Sequence, residues 1–249
     1  MATTAARRRP RVRADDVFFS GMAVVSLIAV LIGFARTYFL AGVFSAPLPN
    51  LLVHIHGAVF TLWVILFVSQ TGLVSARRLS LHRRVGLFGF ALAVLMVVLG
   101  VLAASDQLAR HVGEPDNGTP ADVRAFYAVG IGDMVMFATF VSLGYRHRNH
   151  PYEHKRLMLF ATFSLLDAAF DRWPVFDPYP LPLVHLISFG PLVLLTMAYD
   201  WWSSGRVQRV TIWSTALLLA VQEGRHLVGY STGWQRLAAW VEMHTPAFR

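Results

Sequence analysis

Long apolar runs fill most of the chain, and short polar, basic segments punctuate them. Runs of about 20 apolar residues are what a helix needs to cross the hydrocarbon of a bilayer. The pattern predicts about seven spans, near 17–40, 51–75, 84–104, 125–145, 155–172, 181–201 and 209–228. The fold class expected is therefore all-α, a polytopic membrane helix bundle. It divides into a basic tail over 1–16, a transmembrane domain over 17–228 and an outer tail over 229–249. In that outer tail Trp234, Leu237, Trp240 and Val241 lie near one helical face, which suggests a short interfacial helix. Between spans three and four, Ser105 to Arg124 reads as the sizeable outer loop, rich in turn residues (Pro115, Asp116, Asn117, Gly118, Pro120).

Composition agrees with a membrane protein. Of 249 residues, 55% are hydrophobic and 14% charged, against about 25% charged in a soluble domain. Spans of this length leave no room for a second, soluble domain. Val17 to Leu40 is longer than a signal-peptide core, and no clear cleavage site follows, so it reads as an uncleaved first span.

The formal charge is +8. In a soluble protein that would suggest nucleic acid, but here the arginines sit in short loops between apolar runs, so no nucleic-acid partner is expected. Arg77, Arg78, Arg83 and Arg84 follow span two. Arg146, Arg148, Lys155 and Arg156 follow span four. Arg206 and Arg209 follow span six, and the N-terminal tail is basic too. The alternate loops carry Asp106, Glu114, Asp116 and Asp122. The positive-inside rule then places the N-terminus in the cytoplasm and the C-terminus outside, in the cytoplasmic (inner) membrane. The partners expected are the bilayer, a lipophilic small molecule, and further copies or subunits of a membrane complex.

There is no cysteine, which excludes disulfides, thiolate metal sites and covalent c-type haem. No phosphate-binding glycine loop and no G-x-S-x-G elbow occur. Lys155, the one lysine, sits at a span end, which argues against a retinal Schiff base.

Ionisable groups inside hydrocarbon are costly and ask for a reason. Placed on their spans, most fall in the outer half: Arg36, His54, His56, Asp106, Asp133, Asp167, Asp171, Arg172, His185, Gln222, Glu223, Arg225 and His226. The inner half is expected to be almost free of them between its basic loops. Ser164, Asp167 and Asp171 share one helical stripe, and so do Gln222 and His226. His54 and His56 point about 200° apart on an ideal helix. His56 is expected to be the more buried, with Asn50 as N-cap after Pro47 and Pro49.

Three readings of this constellation stay open. In the first, His54, His56, His185, Glu223 and His226 ligate a divalent metal (Zn, Fe or Mn), and Asp133, Asp167 and Asp171 serve catalysis in a redox or hydrolytic enzyme acting on a lipophilic substrate. In the second, paired histidines hold haem b in an electron carrier. In the third, the groups line a proton or substrate pathway of a transporter or an accessory subunit. Beside them, salt bridges at the membrane interface would account for the same residues. On the inner side, His82 and His154 open spans three and five within basic segments. They read as interface anchors or as ligands of an inner haem, while Arg83, Arg84, Lys155 and Arg156 face lipid phosphates.

The run His54-Ile55-His56-Gly57, then Gln70, Leu81-His82-Arg83-Arg84-Val85-Gly86, His154-Lys155-Arg156-Leu157-Met158 and Asp171-Arg172-Trp173-Pro174 resembles an uncharacterised bacterial family of predicted multi-pass membrane proteins. That family shows HI-x-x-G, LHR-x-LGR and HR-x-WM-x-R in the same order. Leu157 stands where the family has Trp. The resemblance implies a multi-pass topology and no activity. The LHR element is also faintly similar to a segment of dihaem cytochromes b, which would imply a haem-ligand role for His82.

Overall fold

The computed structural model describes residues 9–44, 50–111, 118–176 and 181–245. The described chain is all-α. The helices are α1 (Arg9–Phe34, running on as a π-helical turn, Ala35–Phe39), α2 (Leu51–Ser75), α3 (Leu79–His111), α4 (Pro120–Arg146), α5 (Pro151–Phe163), the single turn α6 (Asp167–Phe170), α7 (Leu181–Ser204), α8 (Arg209–Gly229) and α9 (Thr232–His244). Five segments are long and apolar enough to cross a membrane: Ala14–Phe39, Leu51–Ser75, Leu79–Arg110, Pro120–Arg146 and Leu183–Ser204. The basic residues Arg7 and Arg8, the turn residues Glu114 to Asn117, and Pro47 and Pro49 lie outside the described residues.

Helix ends follow local chemistry. Asn50 caps α2 as expected, its Oδ1 accepting from Val53 N at 2.9 Å. Its Nδ2 donates to Asp106 Oδ2 at 2.9 Å, which ties α2 to α3. The Ser105–Arg124 loop is much shorter than expected. Pro120 is the first residue of α4, where its missing N–H costs nothing. Thr119 and Asp122 close a capping box: Asp122 N donates to Thr119 Oγ1 and Thr119 N to Asp122 Oδ2. At the other end α3 continues to His111.

The predicted fifth span is not one helix. After Phe163 the chain tightens into i to i−3 turns, with Leu165 N donating to Thr162 O and Leu166 N to Phe163 O. One helical turn, α6, follows. Irregular backbone survives at membrane depth only inside protein, and Ser164, Leu166, Asp167, Ala169 and Phe170 are all buried. Gly33 makes room for this turn: a Cβ there would lie 2.3 Å from Ala169 O.

α4 is the hub, touching α3, α5, α8 and α9, while α1 packs on α2, α5 and α6. A fully buried layer of Phe137, Phe140, Phe160, Phe163, Met96 and Leu218 fills the middle. α9 is a helix, but its apolar residues split between two faces. Trp234, Ala238 and Val241 pack on Leu108, Val123 and Tyr127. Leu237, Trp240 and Met243 point outward. The helix is pinned by Arg124–Glu242 at 2.9 Å and by Trp234 Nε1 donating to Arg124 O at 2.8 Å. Between α8 and α9, Tyr230 donates to Asp122 at 2.9 Å, and that carboxylate pushes the phenol above its ordinary pKa.

Candidate functional site

α8 is too polar along its length to stand among the five apolar segments, yet most of its polar residues share one buried face, Glu223 being exposed. Thr211, Ser214, Thr215, Leu218, Gln222 and Arg225 are buried and recur at three- and four-residue steps. Gly229 lets that face approach α4, since a Cβ there would lie 2.8 Å from Ala125 O. The stripe joins two buried ionic clusters, Thr211 and Arg225 standing about 21 Å apart along the axis.

At the α9 end, Arg225 is the centre. Its guanidinium donates to Asp133 of α4 and to Asp167 of α6. All three side chains are largely buried, Arg225 to 3% exposure and Asp167 to 2%. His185 of α7 stands on the far side of Asp167, its Nε2 3.3 Å from Asp167 Oδ1. That contact falls short of an aligned hydrogen bond. Its Nδ1 bonds Glu223 Oε1 at 2.9 Å. Glu223 is half exposed. One imidazole thus stands between an exposed and a buried carboxylate. The His226 ring lies alongside His185, centroids 6.1 Å apart and 26° between planes.

Several buried polar atoms find no protein partner among the described residues. Both amide atoms of Gln222, His226 Nε2 and Arg225 Nε belong to this end of α8, Thr215 Oγ1 and Ser214 Oγ lie further along it toward Thr211, and His56 Nδ1 is on α2. Buried polar groups are almost always satisfied by protein or water, so this concentration marks a place where water or a ligand belongs.

The second cluster overturns the expectation of a dry inner half. Arg156 of α5 is 2% exposed and does not reach lipid. Its Nε donates to Asp200 Oδ1 of α7 at 2.9 Å and its Nη1 to Tyr152 O at 2.7 Å. Asp200 Oδ2 accepts from Thr211 Oγ1 at 2.5 Å and from Gln208 N at 3.1 Å. The carboxylate therefore sits at the positive end of the α8 dipole. Lys155 bonds Asp15 at 2.7 Å, which also accepts from Tyr199. Both Asp200 oxygens are thus engaged, whereas Arg225 Nε and His185 Nε2 at the α9 end find no hydrogen-bond partner among the described residues.

Asp133, Asp167, His185, Glu223 and His226 thus come together. Asp171 ends α6 one helical turn after Asp167, its N–H donating to Asp167 O at 2.9 Å, but its side chain is exposed and lies outside the hydrogen-bonded network; the break before α6 separates Ser164 from the predicted stripe. His54 is exposed, its carbonyl accepting from Tyr38. His56 is the more buried of the two, as expected, and stacks on Phe60 at 4.0 Å. His82 and His154 face each other at the opposite end, centroids 6.4 Å apart and nearly perpendicular. His154 Nδ1 is 2.8 Å from Gly144 O.

Among the described residues no three His, Asp or Glu side chains group to hold a metal ion. Of the expected ligands, His54 is exposed beside Tyr38 and His56 stacks on Phe60, apart from the His185–Glu223 pair, and Arg225 supplies the positive charge between Asp133 and Asp167. The sequence marks Arg225 only as one of the polar groups of the outer half, open to a salt bridge at the membrane interface. Its partners are instead on α4 and α6, a long-range pairing that no spacing encodes. Comparison with known proteins adds no assignment: no family model, no curated protein and no solved structure matches the chain.

Proposed function

We propose that this chain is a proton-conducting membrane transporter crossing the cytoplasmic membrane seven times, α5 and α6 together making one crossing. Its N-terminus is cytoplasmic by the basic-loop rule, so the α9 end faces outward. The observation that carries the reading is Glu223–His185–Asp167, with contacts of 2.9 and 3.3 Å on the two nitrogens of one ring. An imidazole can accept a proton on one nitrogen and release one from the other. Glu223 takes the proton from water, His185 passes it inward, and Asp167 and Asp133 receive it beside Arg225. Gln222, Thr215 and Ser214, each with a buried atom lacking a protein partner, support a water-assisted continuation along α8. The Phe137–Phe140–Phe160–Leu218 layer is the barrier, and Arg156–Asp200 closes the cytoplasmic end.

The test is reconstitution into vesicles enclosing a pH-sensitive dye, with a potassium diffusion potential as the driving force. Wild-type protein acidifies the lumen faster than protein-free vesicles do. Glu223→Gln keeps a hydrogen bond to His185 and, at a half-exposed position, keeps the fold, but slows the flux at least tenfold. Wild-type protein with no flux, or Glu223→Gln conducting at the wild-type rate, refutes the reading.

A second reading rests on His82 and His154. Two histidines from different helices are a ligand set that would suit haem b. The bond from His154 to a backbone carbonyl leaves Nε2 free as a ligand. Purified protein with a Soret band that His154→Ala abolishes supports a haem at this end. Colourless protein from haem-replete cells removes it.

A further inference from the structure

Of the four basic residues that the sequence places at lipid phosphates, the fold leaves two to face outward. Lys155 is bonded to Asp15, and Arg156 is enclosed with Asp200. Arg83 and Arg84, near the start of α3, are exposed. Neither side chain makes an ion pair or a hydrogen bond among the described residues, and the same holds for Arg78, which precedes the helix and is also exposed. The acids at this end are already taken: Asp16 by Arg77 at 2.8 Å, Asp15 by Lys155 and Tyr199, Glu153 by His147, and Asp200 by Arg156. Three uncompensated cations therefore stand within 78–84.

Beyond them α3 turns apolar on the same faces. Leu87 and Val94 recur at helical spacing after Arg83, and Phe88, Ala91 and Leu95 after Arg84. All five are exposed, Leu87 to 66%, Phe88 to 56% and Val94 to 67%. From each arginine to the end of its stripe is about 16 Å along the axis, close to half of the ~30 Å hydrocarbon thickness of a bilayer.

We infer that the start of α3 is a binding site for an anionic phospholipid. Its phosphate accepts from the Arg83 and Arg84 guanidinium groups, and its acyl chains lie along the Leu87–Val94 and Phe88–Leu95 stripes. Charge selects the headgroup. A guanidinium meets a phosphate with two parallel hydrogen bonds. A zwitterionic headgroup brings its own cation and leaves the arginines uncompensated, whereas a headgroup of net negative charge offsets them. The stripes select a lipid over a soluble phosphate, since each arginine stands at the end of one leaflet's length of exposed apolar helix. The site requires only that α3 spans the bilayer, and neither proton conduction nor haem enters it.

The test titrates purified protein in detergent with phosphatidylglycerol or with phosphatidylcholine of the same chains, and counts bound lipid in mass spectra of the intact protein. Wild type should bind phosphatidylglycerol at least tenfold more tightly, each arginine contributing about fivefold. Arg83→Gln combined with Arg84→Gln should reduce that preference to less than about twofold. The preference is a ratio taken within one variant, so a change in stability does not enter it. Arg206→Gln combined with Arg209→Gln removes the same charge from the α7–α8 turn and should keep the wild-type preference. Glycerophosphoglycerol, the same headgroup without chains, should not displace the lipid. Equal affinity of wild type for the two lipids overturns the site, as does a preference that survives Arg83→Gln with Arg84→Gln. A preference lost equally on the α7–α8 turn shows diffuse attraction and overturns it too. Displacement by glycerophosphoglycerol assigns the arginines to a soluble phosphate and overturns the lipid.

Discussion

Replacing Arg225 by Met removes the cation that two buried carboxylates share. Asp167 is 2% exposed and Asp133 12%, so water does not take over the lost contacts. Breaking a buried pair from one side costs roughly 3–5 kcal/mol, because the remaining charge stays buried without compensation. Here one deletion strands two carboxylates on separate helices, so the upper part of that range applies. For a chain of this size each kcal/mol moves the melting temperature by roughly 2–4 °C. Arg225→Met should therefore melt some 10–20 °C lower in detergent, followed by intrinsic tryptophan fluorescence. The decisive comparison is the triple variant Arg225→Met, Asp133→Asn, Asp167→Asn. It removes both stranded charges, keeps similar volumes and should recover more than half of the loss, since neutral replacements of a buried ion cluster are often tolerated. A single variant that melts within a degree or two of wild type would refute the placement of Arg225 between these carboxylates. A triple variant no better than the single would show that the damage is not electrostatic.

Other expectations follow from the same geometry. Gly33→Ala forces a Cβ within 2.3 Å of Ala169 O and displaces α6, so it should cost about 1–3 kcal/mol in the same melting assay. Asp200→Asn leaves Arg156 buried beside a neutral amide and weakens the cap on α8; a loss of about 3–5 kcal/mol is expected, with faster amide hydrogen exchange over 208–212. Asp171→Asn, on an exposed turn, should shift stability by less than about 0.5 kcal/mol, whereas Asp167→Asn, only four residues earlier, should be measurably worse.

How much of this was legible in the sequence depended on whether the signal was local. Asn50 before an apolar run announces a cap, and the cap is there because the side chain needs only the next turn of its own helix. The five apolar segments are legible for the same reason: hydropathy is a sum over neighbours in sequence. The break at Ser164 is not. The run Phe160 to Phe170 contains neither Gly nor Pro, and what bends the chain is burial against α1 at Gly33, far away in sequence. Nor is Arg156 legible as a core residue. It sits in a basic segment that looks like an interface anchor, and only Asp200, on another helix, draws it inside.

The histidines and carboxylates were legible as a group at one depth, but not as a circuit, because the residue that organises them is of the opposite charge. A search for metal-binding chemistry gathers His, Asp and Glu and passes over Arg225. In the fold the arginine takes the central position, and its presence changes the chemistry of every neighbour. Carboxylates held by a guanidinium are poor candidates for metal ligands, because the cation already occupies their lone pairs. α8 makes the same point about hydropathy. Its mean falls below that of the five apolar helices because Gln222, Glu223, Arg225 and His226 crowd one end. Yet Ile212, Leu219, Leu227 and Val228 lie on the exposed side, while Thr211, Ser214, Thr215 and Gln222 are buried. Hydropathy averages over both faces and so misses a helix that is apolar on its exposed side and polar on its buried one. The unsatisfied atoms along that face, at the end where Glu223 meets water, are where this bundle has room left for chemistry.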